Sequence, residues 1–182
     1  MTDTAQQPAT DRETLPVELV DESGRAVGAC PVLEAHQQPG RRHRAFSVVL
    51  FDADGRVLLQ RRAAVKTRFP LLWANACCGH PAPGEPVVAA ATVRLIEELG
   101  LTTGLTERGV YSYRADDERT GRVEHEWDHV LTGTLAHEVP RPDPAEVAEV
   151  RWVAPDILRA ELREHPGDFT PWLAGVLDVA LG

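Results

Sequence analysis

The most informative stretch of the sequence is GHPAPGEPVVAAATVRLIEELGL, which spans residues 79–101. It begins as a loop rich in glycine and proline and continues as a run of apolar and charged residues. Pro86 suits the first turn of a helix, where its missing N–H has no helical partner. Gly100 suits the left-handed conformation that ends many helices. The stretch therefore predicts a loop followed by a helix that ends at about Leu99.

Short apolar runs on both sides of this helix predict a sheet. Two early hairpins are predicted, with strands at Leu15–Asp21, Ala26–Val32, Ala45–Phe51 and Val57–Gln60. Later strands are predicted at Trp73–Cys78, Val110–Arg114, Val123–Leu135 and Val150–Val153, and later helices at Pro155–Glu164 and Pro171–Leu181. The pattern favours an α+β fold, with a mixed β-sheet and flanking helices, in one domain over residues 15–182.

The composition restricts the function classes. The net charge of −9 argues against nucleic acid or an anionic membrane as a partner, because both require a basic face. No run approaches the roughly 20 apolar residues of a membrane span. Residues 1–14 lack the features of a signal peptide and are expected to form a disordered tail. Cys30 and the adjacent pair Cys77 and Cys78 favour free thiols in a reducing, cytoplasmic compartment.

Five polar residues have the types and spacing of a metal site. Glu124 and Glu126 are two apart, so in a strand they project from one face and can share a cation. His36, His43 and His80 lie in predicted loops or at strand ends that can converge. A mixed imidazole and carboxylate set suits Zn²⁺ or Mn²⁺ better than a Mg²⁺ site built only of oxygen ligands. The alternative for any one histidine is a surface or capping residue.

Residues 79–101 also resemble the Nudix box, a loop–helix–loop in which helix carboxylates hold a divalent metal against a diphosphate. The match rests on Gly79, Glu85 and the run Glu97–Leu101. The usual box has an arginine–glutamate pair where this chain has Val93–Arg94, which weakens a hydrolase interpretation. Arg94 and Glu98 are four apart on one helix face, so they can present a cation and a metal ligand to one phosphate or form an ordinary surface ion pair.

A second set of motifs resembles the type I isopentenyl-diphosphate isomerases. The segment Asn75–Pro81 is similar to the cysteine motif of that family. Four further segments match in the same order along the chain, namely Arg42–Ser47, Tyr113–Ala115, Val123–Glu126 and Thr170–Trp172. These matches extend over nearly the whole chain and are together more specific than the altered Nudix box.

The resemblance implies a Nudix-type fold and an enzyme that interconverts isopentenyl and dimethylallyl diphosphate by an allylic proton shift. The implied metal ligands, around Mn²⁺, Zn²⁺ or Mg²⁺, are His36, His43, His80, Glu124 and Glu126. Cys78 is expected to exchange a proton at one face of the substrate. Glu126, with Tyr113 hydrogen-bonded nearby, is expected to serve the opposite face.

The implied substrate is a small prenyl diphosphate. Its diphosphate contacts are expected at Arg62, Lys66 and Arg94, and Glu98 is expected to help hold a Mg²⁺ ion that meets the same group. The face of Trp172 can stabilise a tertiary cation and shield it from water, although a plain core role for Trp172 stays open. The family usually has a lysine where this chain has Val32, so weaker diphosphate binding is expected.

Two other function classes stay open. A Nudix hydrolase of a nucleoside or prenyl diphosphate would use the same fold and metal. A non-catalytic metal-binding module would explain why Val32 replaces the family's usual lysine.

The chain is expected to be a monomer or a weak homodimer. Neighbouring residues that are expected to lie in solvent are Arg61, Arg68 and Asp128. His125 and His129 are expected to be structural or exposed, and Cys30 and Cys77 are expected to be small buried residues.

Overall fold

The computed structural model describes residues 12–182 of the chain. Its strands are β1 (Pro16–Val20), β2 (Ala26–Pro31), β3 (His43–Phe51), β4 (Val57–Arg62), β5 (Trp73–Ala74), β6 (Cys77–Gly79), β7 (Thr106–Asp117), β8 (Arg122–Thr134) and β9 (Val147–Val153). Its helices are α1 (Val32–Ala35), α2 (Val87–Leu99), α3 (Pro155–Glu164), a 3₁₀ turn (Pro166–Asp168) and α4 (Leu173–Leu181). Among these helices, none has the length and apolar character of a membrane span.

The sheet is built around a parallel pairing of β3 with β8. The register runs from His43 opposite Glu126 to Phe51 opposite Thr134. β7 pairs antiparallel with β8, and both β1 and β6 pair antiparallel with β3. β4 meets β3 at Phe51 and pairs with β5 and β9. The predicted α+β class, with a mixed sheet and flanking helices, is confirmed.

Alternation along β3 divides the core into two clusters. Phe46, Val48 and Leu50 belong to a cluster with the buried face of α2. Val49 belongs to a second cluster that contains the buried residues of α3 and α4. Because successive side chains of a strand point to opposite faces, Ser47 shares the face of Val49. The polar beginning of β3 therefore contributes to the same side of the sheet as α4.

Helix α2 has the predicted ends. Pro86 precedes its first residue, and Gly100 has the left-handed φ of 62° and donates its N–H to the carbonyls of the last turn. The buried residues form a stripe at helical spacing, namely Val87, Ala90, Ala91, Leu95, Glu98 and Leu99. Full burial of a leucine side chain contributes roughly 1.5–3 kcal/mol, so this stripe fixes α2 on the sheet.

Several predicted elements differ from the structure. The predicted strand Trp73–Cys78 is divided into β5, which pairs with β4, and β6, which pairs with β3. Residues 75 and 76 cross between these partners. β7 is longer than the predicted Val110–Arg114, because it pairs with β8 along its whole length despite its exposed charges. Val32 starts α1 instead of ending a strand, and it is buried beside Val17.

The predicted disordered tail, residues 1–14, lies largely outside the described residues. At its end, however, Arg12 Nη2 is 2.6 Å from Glu97 Oε2 of α2. Glu13 Oε1 is 2.7 Å from Arg68 Nη1. Arg12 and Glu13 are thus each paired with a residue distant in the sequence, and the disordered tail stays a prediction.

Gly175 in α4 packs directly on the sheet, and we expect Gly175→Ala to destabilise the protein. A Cβ at this position would lie 2.2 Å from Cζ of Tyr111, whose ring is stacked on Tyr113. The usual helical gain of alanine over glycine is about 1 kcal/mol, whereas overpacking costs about 1–3 kcal/mol. Urea unfolding should therefore give a lower midpoint. The exposed neighbour provides the control, because Ala174→Gly should lose about 1 kcal/mol from helix propensity alone. A Gly175→Ala protein more stable than the parent would contradict this packing.

Candidate active site

A cavity of about 290 Å³ lies between α2, the loop that follows β4 and the beginning of α4. Most of the residues selected from the sequence line it, namely Arg62, Lys66, Cys78, His80, Arg94, Tyr113, Glu124, Glu126 and Trp172. They come from six separate parts of the chain. The fold therefore collects them into one concave site.

Strand register explains how the acidic and aromatic residues meet. Glu126 lies opposite His43 of β3 on one side and opposite Tyr113 of β7 on the other. Tyr113 donates its hydroxyl to Glu126 Oε2 at 2.8 Å, which is the predicted hydrogen bond. Glu124 is two residues away on the same face of β8. The central strand thus directs both glutamates into the cavity.

Three histidines converge on these two glutamates. The ring centroid of His36 is 4.5 Å from that of His43 and 5.0 Å from that of His80, and the last two centroids are 4.9 Å apart. One potential ligand atom from each of the histidines and from Glu124 and Glu126 lies within 4.8 Å of all the others. These are the five residues selected from the sequence. Their proximity is established, whereas their role as ligands remains a prediction.

Hydrogen bonds fix which ring nitrogen faces the cluster. Nδ1 of His36 is 2.7 Å from the carbonyl oxygen of Val32, and Nδ1 of His43 is 2.7 Å from that of Arg41. A carbonyl only accepts, so both Nδ1 atoms donate, and a neutral ring then has its lone pair on Nε2. This second contact is typical of metal-bound histidine.

The Nε2 atoms of the three histidines face carboxylate oxygens of Glu124 and Glu126. His36 Nε2 is 2.8 Å from Glu124 Oε2, and His80 Nε2 is 3.0 Å from Glu126 Oε1. His43 Nε2 is buried, 3.6 Å from Glu126 Oε1, and has no hydrogen-bond partner among the described residues. Lone pairs on imidazole nitrogens and carboxylate oxygens repel each other at these distances unless a positive charge lies between them. The donor set therefore fits a divalent cation.

The electrostatics of the cluster are those of ligands in their metal-binding forms. Burial lowers the pKa of His80 to about 4, so this ring is neutral at neutral pH. Burial alone would raise the pKa of Glu126, but contacts with His43 and His80 hold it well below its usual range. Glu126 is therefore ionised beside neutral His80, the combination that a metal requires.

Arg68 is not the solvated residue predicted from the sequence. Its side chain is only 12% exposed, and it pairs with Glu124 at 3.2 Å and Glu13 at 2.7 Å. Burial would lower the pKa of Arg68, but Glu124 and Glu13 raise it. The cation thus compensates the charge of Glu124 from outside the cluster. Arg61 is a surface residue as predicted, paired with Glu149.

Asp128 is also wrongly predicted to be solvated. It is fully buried, and the hydroxyl of Ser47 donates to its Oδ2 at 2.7 Å. Burial and the nearby charge of Glu126 raise its pKa well above the usual range. Asp128 lies on the same face of β8 as Glu124 and Glu126, as expected, but this face is in the protein interior. His129, on the other face, is paired with Glu107 at the surface.

Cys78 is held as a thiol at the cavity wall. Its Sγ is 3.3 Å from Asn75 Oδ1 and 3.5 Å from Ser47 Oγ. Burial raises the pKa of Cys78 to about 12, so the sulfur carries its proton at neutral pH. Cys30 and Cys77 are buried free thiols, as predicted.

The predicted diphosphate cations line the cavity, but each has a partner within the protein. Arg62 donates to the backbone carbonyls of Arg68 and Phe69 at 2.8 and 3.0 Å. Lys66 is paired with Glu146. Arg94 is paired with Glu98 and is 3.5 Å from Glu146. These cations are therefore held in place, and their contact with a diphosphate remains a prediction.

Glu98 lies apart from the five-residue cluster. It is 3% exposed, and it accepts hydrogen bonds from Gln60 Nε2 at 2.9 Å and from Arg94. The ion pair that the sequence suggested for Arg94 and Glu98 is present and largely buried. The predicted role of Glu98 in holding Mg²⁺ remains a prediction.

The sequence matches the NUDIX domain over residues 41–173. It is 71% identical to an isopentenyl-diphosphate Delta-isomerase of Nocardia farcinica, with coverage of 91% of this chain and 94% of that protein. It is 44% identical to the isomerase of Halorhodospira halophila, with coverage of 86% and 89%.

Solved structures share the fold. A protein from Deinococcus radiodurans superposes with a TM-score of 0.66 at 19% identity and covers 82% of this chain and 90% of its own. A MutT NUDIX hydrolase from Burkholderia pseudomallei gives a TM-score of 0.58 at 22% identity, with coverage of 75% and 96%. At these identities the similarity supports the fold alone. By fold and by its sequence relatives, the chain belongs to the isopentenyl-diphosphate Delta-isomerase family of NUDIX-domain proteins.

Proposed function

We propose that this chain is an isopentenyl-diphosphate Delta-isomerase in which Cys78 and Glu126 exchange protons with the substrate. The main support for the proposal is that the protonated thiol of Cys78 and the ionised carboxylate of Glu126 line the same cavity. One group can give a proton while the other accepts one. An allylic shift needs such an acid and base together, and neither group needs to attack phosphorus.

The proton balance is simple. The thiol of Cys78 and the carboxylate of Glu126 together hold one proton, and the substrate gains one hydrogen as it loses another. A turnover leaves the two groups with exchanged protonation states, which the reverse reaction or proton exchange with solvent restores. Tyr113 donates to Glu126 Oε2, so it orients that carboxylate and favours its ionised form.

Aromatic rings support a cationic intermediate. Trp172 is 3% exposed, and its ring centroid is 6.0 Å from that of Tyr113 and 5.3 Å from that of Phe69. The ring faces of tryptophan and tyrosine attract positive charge without offering a nucleophile. Such a wall would stabilise a tertiary carbocation and exclude the water that would capture it.

The five-residue cluster would hold a divalent cation, which supplies positive charge to the carboxylates when bound. Its histidines favour Mn²⁺ or Zn²⁺, and Mg²⁺ is the further candidate. For the substrate diphosphate, Arg62, Lys66 and Arg94 would provide cationic contacts, with Mg²⁺ held through Glu98. The three free thiols support a reducing, cytoplasmic location.

The decisive activity test follows purified protein with isopentenyl diphosphate and Mg²⁺ in D₂O. The parent should form the allylic isomer with deuterium incorporation, because protons exchange with the two carriers. Cys78→Ala should lower the turnover number by roughly 100- to 10,000-fold at unchanged metal content and melting temperature.

The adjacent thiol is the control for this experiment. Cys77 is buried in the α2 cluster, so Cys77→Ala should keep near-parental turnover at some cost in stability. Parental activity in Cys78→Ala would remove this thiol from the mechanism. Release of inorganic phosphate in place of the allylic isomer would indicate a hydrolase.

Removal of divalent metal should lower the melting temperature, because an ion that binds only the folded state stabilises it. Treatment with a chelator followed by addition of Mn²⁺, Zn²⁺ or Mg²⁺ should reverse the loss in the parent protein. His43→Ala should abolish most of this metal-dependent increase. His129→Ala is the matched control, since His129 also contacts a glutamate but lies outside the cluster. Equal responses of the two variants would contradict the metal assignment.

A further inference from the structure

Asn75 is a buried amide between β5 and β6 whose side chain makes four hydrogen bonds. Its Nδ2 donates to the carbonyls of Val48 and Cys77 at 3.1 and 2.9 Å. Its Oδ1 accepts from Cys78 Sγ at 3.3 Å and from Trp172 Nε1 at 3.1 Å. Asn75 is fully buried. One oxygen atom therefore joins the thiol and the indole.

The orientation of this amide is determined by its partners. Both atoms near Nδ2 are carbonyl oxygens, which only accept, and the indole N–H near Oδ1 only donates. The reversed amide would place Oδ1 against two carbonyls and Nδ2 against another donor. Three contacts would become unfavourable in a buried position. Oδ1 is thus fixed toward Cys78 and Trp172.

The second neighbour of the sulfur supports the same geometry. Ser47 Oγ is 3.5 Å from Cys78 Sγ, but its hydroxyl hydrogen is directed to Asp128 at 2.7 Å. Ser47 therefore presents only lone pairs to the sulfur, as Asn75 does. With acceptors on both sides, the thiol is the donor and its side chain has little freedom to turn.

Trp172 is constrained in the same way. It immediately precedes α4, 97 residues from Asn75 in the sequence. The hydrogen bond from its indole sets the rotation of a ring that packs against Phe69 and Tyr113. A side chain held by both packing and a hydrogen bond is preorganised for its contact with a ligand.

We propose that Asn75 is a positioning residue that couples Cys78 to Trp172 through the shared acceptor Oδ1. The proposal rests on the proposed function, in which Cys78 exchanges a proton and Trp172 faces the cation. The sulfur and the ring face are thereby fixed relative to each other before the substrate binds. Since Asn75 does not itself line the cavity, it acts on turnover and not on diphosphate affinity.

The kinetic test compares two variants of similar size. Asn75→Leu removes the acceptor, so turnover should fall by about 100-fold, the effect of a displacement of about 1 Å, with little change in the Michaelis constant or metal content. Asn75→Asp keeps an acceptor oxygen and should retain substantially more turnover than Asn75→Leu. A purely structural role through the donors to Val48 and Cys77 predicts the opposite order or equal losses, and would overturn the proposal.

Spectroscopy tests the shared acceptor without reliance on activity. The infrared S–H band of Cys78, identified by its loss in Cys78→Ala, should move to higher frequency in Asn75→Leu. Cys78 and Trp172 both donate to Asn75 Oδ1. Trp172→Phe removes one donor, so the hydrogen bond from Cys78 should become stronger and the S–H frequency should fall. Conversely, Cys78→Ala should move the indole N–H resonance of Trp172 downfield. These two variants keep the proposal testable if Asn75→Leu does not fold, and absence of both shifts would overturn it.

The outcomes separate this proposal from the function on which it rests. Full turnover in Cys78→Ala would contradict the proposed mechanism, while the two spectroscopic shifts would still establish the shared acceptor. An inactive Cys78→Ala together with a fully active Asn75→Leu would overturn the positioning role alone.

Discussion

The parallel pairing of β3 with β8 is the constraint on which the site depends. Its register puts His43 beside Glu126 and Ser47 four residues further along the same strand. A slip of one residue would turn every side chain of one strand to the other face, and the five histidine and glutamate side chains would no longer converge. The apolar ends of both strands prevent such a slip, because Val49 and Val130 are fully buried in the core cluster beneath the site. Packing in the core thus determines the chemistry at the polar end.

Charge in the site is balanced locally, despite the overall negative charge of the protein. Glu124 and Glu126 face three imidazoles, and Arg68 compensates Glu124 from behind. Asp128 is the exception: its Oδ1 is buried without a hydrogen-bond partner among the described residues, and its pKa is raised. The raised pKa favours the neutral form of this acid next to the charge of Glu126. The environment therefore shifts the pKa values of two neighbouring carboxyl groups in opposite directions, as in many enzyme sites.

Local signals allowed much of this to be predicted. Pro86 and Gly100 marked the ends of α2, and the sequence motifs selected five residues whose potential ligand atoms lie within 4.8 Å of one another. The environments of Arg68 and Asp128 could not be predicted in the same way. The partner of Arg68 is 56 residues away, and the burial of Asp128 depends on which face of β8 meets α4. Similarly, Asn75 is one letter of a motif in the sequence, and only the fold brings Trp172 to its oxygen.

The proposed metal site places one divalent cation among the Nε2 atoms of three histidines and two carboxylates, in a cavity shared with Cys78. Anomalous diffraction from crystals grown with Mn²⁺ would locate this cation. We expect a single strong peak within about 2.0–2.3 Å of Nε2 in His36, His43 and His80, with Glu124 and Glu126 completing the shell. A peak bound through Nδ1, or an ion held elsewhere while this cluster binds none, would contradict it.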